Sequence, residues 1–265
     1  MTTTTMTYKY LTLSHGKTRY IEAGAGHPVV LIHGYPYMRS ADDWLPNIDA
    51  LATRFRVLAP DCAGWAPSDV FDQEYSFAYL TDFIREFQDA LGIRSSHIIG
   101  ASMGGWLAGL FAYESPNRVD KCIQTGHNGI GALPNAGMTN WKPPADEAIR
   151  DWLMLVTKGA NVDVEALIEE RIRNAHEPGR MEAFAKLSKH MGDGVNRTRY
   201  DLLRRLPLVT VPVLYVWGKN DRSFPVAEQA KSLTPGSQLV VLDCGHDVSI
   251  EKADEFNRAA IEFLS

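Results

Sequence analysis

Ser96-His97-Ile98-Ile99-Gly100-Ala101-Ser102-Met103-Gly104-Gly105-Trp106-Leu107-Ala108-Gly109-Leu110 is the stretch that organises the chain. The apolar pair Ile98-Ile99 runs into Gly-Ala-Ser-Met-Gly, and a small-residue helical pattern follows at once. This is a G-x-S-x-G pattern with a strand before it and a helix after it. The flanking glycines leave room for a tight strand-to-helix turn that holds Ser102 in a strained conformation and lifts its oxygen clear of the sheet. The helix behind adds backbone N–H groups and a positive dipole end where negative charge would develop. A glycine-rich turn that merely contains a serine is the plainer alternative, so the rest of the chain must supply partners.

Upstream, residues 8–22 alternate loosely about Ser14-His15-Gly16-Lys17 and predict an antiparallel hairpin at a sheet edge. Pro28-Val29-Val30-Leu31-Ile32 is a continuous apolar run of the kind a strand covered on both faces needs, and it ends in His33-Gly34-Tyr35-Pro36. A helix from about Ser40 to Thr53 leads to a short strand at residues 55–59 and the loop Pro60-Asp61-Cys62-Ala63-Gly64-Trp65. Residues 76–91 carry helical spacing and stop at Gly92. After the Ser102 helix, residues 120–125 form one more strand. Alternating strands and helices predict an α/β fold with a mostly parallel sheet flanked by helices.

From 133 to 205 the pattern is helical without a convincing strand, and the strand rhythm resumes at 211–218 and 238–242 before a closing helix at 253–264. The expected organisation is a core of residues 1–132 and 206–265 with a helical cap, 133–205, inserted between two strands. Ligands in open α/β sheets lie beyond the carboxyl ends of the strands, where such a block could form a roof.

A serine at neutral pH needs a base, and the base an orienting carboxylate. Two strand ends offer them: Gly218-Lys219-Asn220-Asp221 and Asp243-Cys244-Gly245-His246. Ser102, Asp221 and His246 are therefore the expected catalytic triad. Asp243 and Asp247 flank His246, but immediate loop neighbours seldom meet the ring nitrogen well, and both are expected to be solvated. The oxyanion needs preorganised donors. Met103, following the nucleophile, offers one N–H; Pro36 has none, so Tyr35 is the other expected donor. His33 is read as a structural histidine bonded to loop backbone. His127 and Trp106, placed near the strand ends, are candidate substrate contacts, with an ordinary loop histidine the competing reading of His127.

The chain has 265 residues, 45% hydrophobic, with a net charge of −5, which argues against a nucleic-acid or anionic-membrane surface. The arginines from Arg197 to Arg205 read as a solvated helix face. No apolar run approaches the roughly 20 residues of a membrane span, and the threonine-rich start, read as a frayed end, lacks the pattern of a secretory signal. Three scattered cysteines point to reduced thiols in the cytoplasm. The eight histidines show no H-x-x-x-H or His/Cys spacing, so neither a metal nor another cofactor is expected. A small-molecule substrate is the expected partner, with a homo-oligomer left open.

His33-Gly34, Gly100-Ala101-Ser102-Met103-Gly104-Gly105, Gly218-Lys219-Asn220-Asp221-Arg222 and Cys244-Gly245-His246 resemble the α/β-hydrolase superfamily over essentially the full chain. Residues 18–24, Trp217-Gly218-Lys219-Asn220-Asp221-Arg222 and residues 253–258 are most similar to the meta-cleavage product hydrolases, which cut carbon–carbon bonds in vinylogous 1,5-diketones from aromatic ring degradation. The resemblance implies a cofactor-free serine hydrolase of small, largely apolar carbonyl compounds. It also implies that Arg171, in Leu167-Ile168-Glu169-Glu170-Arg171, holds the substrate's dienoate end. Helical spacing agrees, since Arg171 lies on the stripe of Val164, Leu167, Ile168 and Ala175; a snorkelling arginine or an internal ion pair fits the same spacing. Two departures stand out. The family's glycine-rich HG-x-G-P-G loop is here His33-Gly34-Tyr35-Pro36-Tyr37-Met38, and Asp247 replaces the usual tryptophan after the histidine. They favour a reshaped pocket, and with it an ester or lactone hydrolase, as the alternative to carbon–carbon cleavage. A non-enzymatic small-molecule receptor on the same fold is the further alternative.

Overall fold

Continuous apolar runs become the strands of one sheet. The computed structural model describes residues 6–69, 75–131 and 133–265; the opening threonines and the expected core boundary at 132 lie outside them. Thr7–Leu13 (β1) and Gly16–Ala23 (β2) form the antiparallel hairpin, with Thr7 opposite Glu22. Pro28–Ile32 (β3), Arg56–Pro60 (β4), Ser96–Ala101 (β5), Val119–Thr125 (β6), Val213–Gly218 (β7) and Gln238–Leu242 (β8) complete an eight-stranded sheet in the order β1-β2-β4-β3-β5-β6-β7-β8. β2 meets β4 antiparallel, and every pair from β4 onward is parallel.

The helices cover both faces because alternate residues of the central strands point to opposite sides. Val30, Ile32 and Ile98 pack with Phe83, Phe87, Leu107 and Phe111 from Phe77–Ala90 (α2) and Met103–Glu114 (α3). Val29, Leu31 and Ile99 pack with Ile48 and Leu51 of Leu45–Ala52 (α1), and with Phe256 and Ala260 of the C-terminal helix, Ala253–Leu264. The single helix expected over residues 40–53 is in fact a 3₁₀ turn, Ala41–Trp44, followed by α1. Pro46 sits in the first turn of α1, where its missing N–H costs nothing, and Ser40 Oγ accepts from the Asp42 N–H to cap the 3₁₀ turn.

Between β6 and β7 the described residues form five α-helices, a short 3₁₀ turn at Leu206–Leu208 and no strand: Ala136–Thr139 (α4), Asp146–Val156 (α5), Val164–Ala175 (α6), Arg180–Gly192 (α7) and Gly194–Arg199 (α8). Asp163 Oδ1 caps α6 by accepting from the Ala166 N–H at 3.1 Å, and α6 buries Ile168, Arg171 and Ala175 on one side. Arg197 departs from the solvated face expected of it. It is buried, with Nε donating to the Leu133 carbonyl at 2.6 Å and a second nitrogen to the Met191 carbonyl at 3.2 Å. Carbonyls left open at chain turns give an arginine reason to fold inward. After β7 come Phe224–Leu233 (α9) and, after β8, Val248–Glu251 (α10) and Ala253–Leu264 (α11).

Candidate active site

The β5–α3 turn carries the strain that its sequence implies. Ser102 has φ 56° and ψ −117°, and it is the one non-glycine residue with positive φ among the described residues. A side chain held there must be over-determined by its surroundings. Its N–H donates to the Thr125 carbonyl on β6 at 2.8 Å, and its carbonyl accepts from the Trp106 N–H at 3.2 Å. The helix can pass this close to β3 only without side chains: a Cβ on Gly104 would stand 2.1 Å from the Ile32 carbonyl oxygen. Gly34 is close to the nucleophile as well, where a Cβ would come within 3.0 Å of Ser102 Cβ.

His246, past the end of β8, brings Nε2 to 3.1 Å from Ser102 Oγ, and its Nδ1 lies 2.9 Å from Asp221 Oδ2, past the end of β7. A carboxylate only accepts, so Nδ1 carries the proton and Nε2 is free to accept from the serine. The hydrogen bond to Asp221 raises the His246 pKa above 6.5, against the opposing effect of burial. Burial favours the neutral form of Asp221, but hydrogen bonds from His246 and Ser223 outweigh it and hold the carboxyl below its ordinary value. Ser223 is a partner that sequence reasoning missed. Its N–H donates to Asp221 Oδ1 at 2.9 Å and its hydroxyl to Oδ2 at 2.8 Å, while Trp217 Nε1 donates to the Ser223 hydroxyl at 3.1 Å. An Asp two residues before a Ser at a helix start is the sequence sign of such a turn.

On the oxyanion side, Met103 opens α3, so its N–H is among those with no partner inside the helix. The Tyr35 N–H is fixed indirectly. His33 Nε2 accepts from the Cys62 N–H at 2.9 Å, which leaves Nδ1 to donate to the Gly34 carbonyl at 2.8 Å. The Gly34 carbonyl and the Tyr35 N–H are opposite edges of one planar peptide, so pinning one orients the other. Burial pushes His33 down to about 3, which keeps the imidazole neutral and this tautomer in place. The phenol of Tyr35 reaches α7: its hydroxyl lies 2.7 Å from Ser188 Oγ, which itself donates to the Met138 carbonyl at 2.8 Å.

A chain with this strand order, elbow and loop pairing can be compared with known proteins. Residues 29–259 match the model described as "Alpha/beta hydrolase family". The chain belongs to the alpha/beta hydrolase family. It is 30% identical to a 2-hydroxy-6-oxo-6-phenylhexa-2,4-dienoate hydrolase of Comamonas testosteroni, over 95% of this chain and 92% of that protein. It is also 30% identical to the dihydrolipoyllysine-residue acetyltransferase component of the acetoin cleaving system of Cupriavidus necator, over 94% of this chain and 67% of that one. Among solved structures it resembles a meta-cleavage product hydrolase from Pseudomonas fluorescens IP01, with TM-score 0.78 and 28% identity, covering 96% of each chain.

In this hydrolase the three expected substrate contacts are all engaged inside the protein. Arg171 is 2% exposed and lies 2.9 Å from Asp42 Oδ2, not open to a ligand. Asp42 is also bound by Arg19 at 2.6 Å and by the Tyr8 hydroxyl at 2.8 Å, and Arg19 holds Asp61 at 2.6 Å. Two arginines thus balance two buried carboxylates, and they hold Asp42 at about 2 despite the opposing effect of its burial. His127 is buried with its ring edge-on to Trp217, and its Nδ1 accepts from the Gly129 N–H at 3.2 Å. Trp106 is buried too: its Nε1 donates to the Tyr200 carbonyl at 2.8 Å and its ring packs 4.3 Å from Phe77.

Of the acids beside His246, Asp243 is exposed and lies 3.2 Å from Lys219, but Asp247 is not the free residue expected. Arg39 donates to it at 2.5 Å, and also reaches Asp43 at 3.2 Å while stacking on Trp152 of α5. Trp152 Nε1 donates to the other oxygen of Asp43 at 2.9 Å. The cause is Arg39 itself, a buried guanidinium in need of counter-charge.

Proposed function

We propose that this chain is a cofactor-free serine hydrolase in which Ser102 is the nucleophile, His246 the general base and Asp221 its orienting acid. The observation that carries the reading is the relay of 3.1 Å from Ser102 Oγ to His246 Nε2 and 2.9 Å from His246 Nδ1 to Asp221. As Ser102 attacks a carbonyl, its proton passes to Nε2 and the carboxylate stabilises the imidazolium. The oxyanion is received by the backbone N–H groups of Met103 and Tyr35. Residues 133–205 serve as a cap over the carboxyl ends of the strands, tied to the core through Arg171, Trp152 and Ser188.

The substrate class is a small, largely apolar, aromatic-derived carbonyl compound, and the reaction is carbon–carbon hydrolysis of the meta-cleavage type. Kinship with the Comamonas dienoate hydrolase supports this reading. A second reading, an ester or lactone hydrolase, draws on the engagement of Arg171 by Asp42, which withholds the expected guanidinium from a dienoate carboxylate. In that case Ser102 forms an acyl-enzyme that water releases. Parallel kinetics on a yellow ring-cleavage product and a p-nitrophenyl ester separate the two. Bleaching of the former at a far higher kcat/KM establishes carbon–carbon cleavage. A preference for the ester establishes the second reading, and turnover of neither refutes the assignment as a hydrolase of these classes.

A further inference from the structure

At the opposite end of the sheet from Ser102, three strands bring together residues that lie far apart in sequence. His27 immediately precedes β3, while His97 and Asp120 are the second residues of β5 and β6. One nitrogen from each histidine and a carboxylate oxygen of Asp120 lie within 4.8 Å of one another. β3, β5 and β6 are neighbours, Val29 pairs with His97, and His27 falls two residues before Val29, so both histidines share one face. The β5–β6 register is irregular here: Ser96 pairs with Val119 but Ile98 with Cys122. The extra residue on β6 lets Asp120 meet His27 at 2.8 Å while Lys121 turns to the last carbonyls of α11, at 2.8 Å from that of Phe263.

A surface ion pair explains His27 and Asp120 but not His97. His97 is 6% exposed, and its Nδ1 is buried without a hydrogen-bond partner. Its ring lies 4.6 Å from that of His27. An unpaired ring nitrogen at a sheet end costs free energy unless something else satisfies it.

We propose that His27, His97 and Asp120 form a binding site for a single zinc-class divalent cation, with solvent in the fourth position. Two imidazoles and one carboxylate are a donor set that suits zinc and disfavours magnesium. Bonds of about 2.0–2.1 Å place tetrahedral ligands roughly 3.3 Å apart. The 2.8 Å His27–Asp120 contact therefore opens by about half an ångström, and the widest separation closes by less than about 1.5 Å. His27 is exposed and Asp120 half-buried at the surface, so both can make that adjustment, while buried His97 supplies the fixed point. About 16 Å of β5 separates His97 from Ser102. The site thus clamps the amino ends of three central strands and takes no part in hydrolysis.

The test is calorimetric titration of chelator-treated, dialysed full-length protein with zinc chloride, beside His27→Gln, Asp120→Asn and His97→Gln. The expected result is one zinc per chain and a rise in Tm of about 5–10 °C at a hundred times Kd. Binding should weaken about 100-fold or more in each variant, beyond the loss typical of an outer-shell partner. Magnesium should neither bind nor raise Tm. His27 and Asp120 both reach solvent, so their variants remain informative even if the buried His97→Gln misfolds. Absence of zinc binding, equal binding in the His27 and Asp120 variants, or equal binding of magnesium overturns the proposal.

Discussion

Replacing Asp221 with asparagine tests the relay at its most exact point, because the structure dictates how the new amide must sit. Oδ1 of Asp221 accepts the Ser223 N–H at 2.9 Å, and Oδ2 accepts both the Ser223 hydroxyl at 2.8 Å and His246 Nδ1 at 2.9 Å. An asparagine oxygen can occupy only one of these places. Placed at Oδ2, it would set its NH2 against a backbone N–H that cannot turn away. Placed at Oδ1, it faces its NH2 toward His246, and the only group displaced is a serine hydroxyl, which can rotate. The second arrangement is therefore favoured by about the 1–3 kcal/mol of an orphaned buried donor. His246 Nδ1 must then accept, its proton moves to Nε2, and the nitrogen facing Ser102 can no longer take a proton. The loss expected for a wrong tautomer is about 10⁴ in kcat, or roughly 5.4 kcal/mol. Steady-state hydrolysis of the better of the two test substrates measures it, with a thermal melt showing that the variant is folded. A folded Asp221→Asn protein within ten-fold of the parent kcat would refute the tautomer argument and the role given to Asp221.

The pH dependence has a definite sign. His246 acts as a base only when neutral and its pKa is raised above 6.5 by Asp221, so kcat/KM should rise with pH and reach half its limit above pH 6.5. The stability increment from the same pair runs the other way: it is fully present below the unfolded pKa and is lost as pH rises through the folded value, visible as a small fall in Tm. Gly104→Ala forces a Cβ to 2.1 Å from the Ile32 carbonyl, and backbone cannot yield as a side chain would. Urea unfolding should show a loss of about 3 kcal/mol or more, with activity falling as the elbow shifts. Arg171→Met leaves Asp42 with Arg19 as its one remaining guanidinium and should cost about 3 kcal/mol of stability. If Arg171 serves only this ion pair, KM values for a carboxylate-bearing substrate and a neutral ester change alike. A selective rise for the carboxylate shows instead that the guanidinium leaves Asp42 to meet substrate.

What could be read from the residues, and what could not, divides along a physical line. Val29–Ile32, Ile98-Ile99 and Val213–Trp217 announce themselves because a strand buried on both faces must be apolar throughout. Ser102, Asp221 and His246 could be placed at the ends of strands for the same reason, since a polar residue terminates each run. Periodicity also put Arg171 on the inward stripe of its helix. It could not say what waits there, because Asp42 lies 129 residues away and nothing local marks it as buried. The same limit hid Arg39 and Asp247, which are 208 positions apart, and turned Arg197 from an expected surface residue into a buried donor to Leu133. The spacing rules for metal ligands likewise inspect one segment at a time, whereas His27, His97 and Asp120 meet only once three strands are in register.

Several of the fastenings between the helices of 133–205 and the sheet fall on one short segment. Tyr35 binds Ser188 of α7, Arg39 and Asp43 hold Trp152 of α5, and Asp42 holds Arg171 of α6. The Arg39 side chain continues to Asp247, the residue after the proposed base. Residues 35–43 therefore carry the proposed oxyanion donor at one end and contacts to three helices along the rest. Buried ion pairs contribute little net stability compared with apolar residues of the same volume, but removing one partner leaves an uncompensated buried charge. Lifting these helices while the loop stays still would therefore break several buried contacts at once. Opening wide enough to break the Arg171–Asp42 contact would uncover a buried carboxylate. Because Tyr35, the proposed oxyanion donor, also holds Ser188, a change that loosens these helices should appear in kcat as well as in KM.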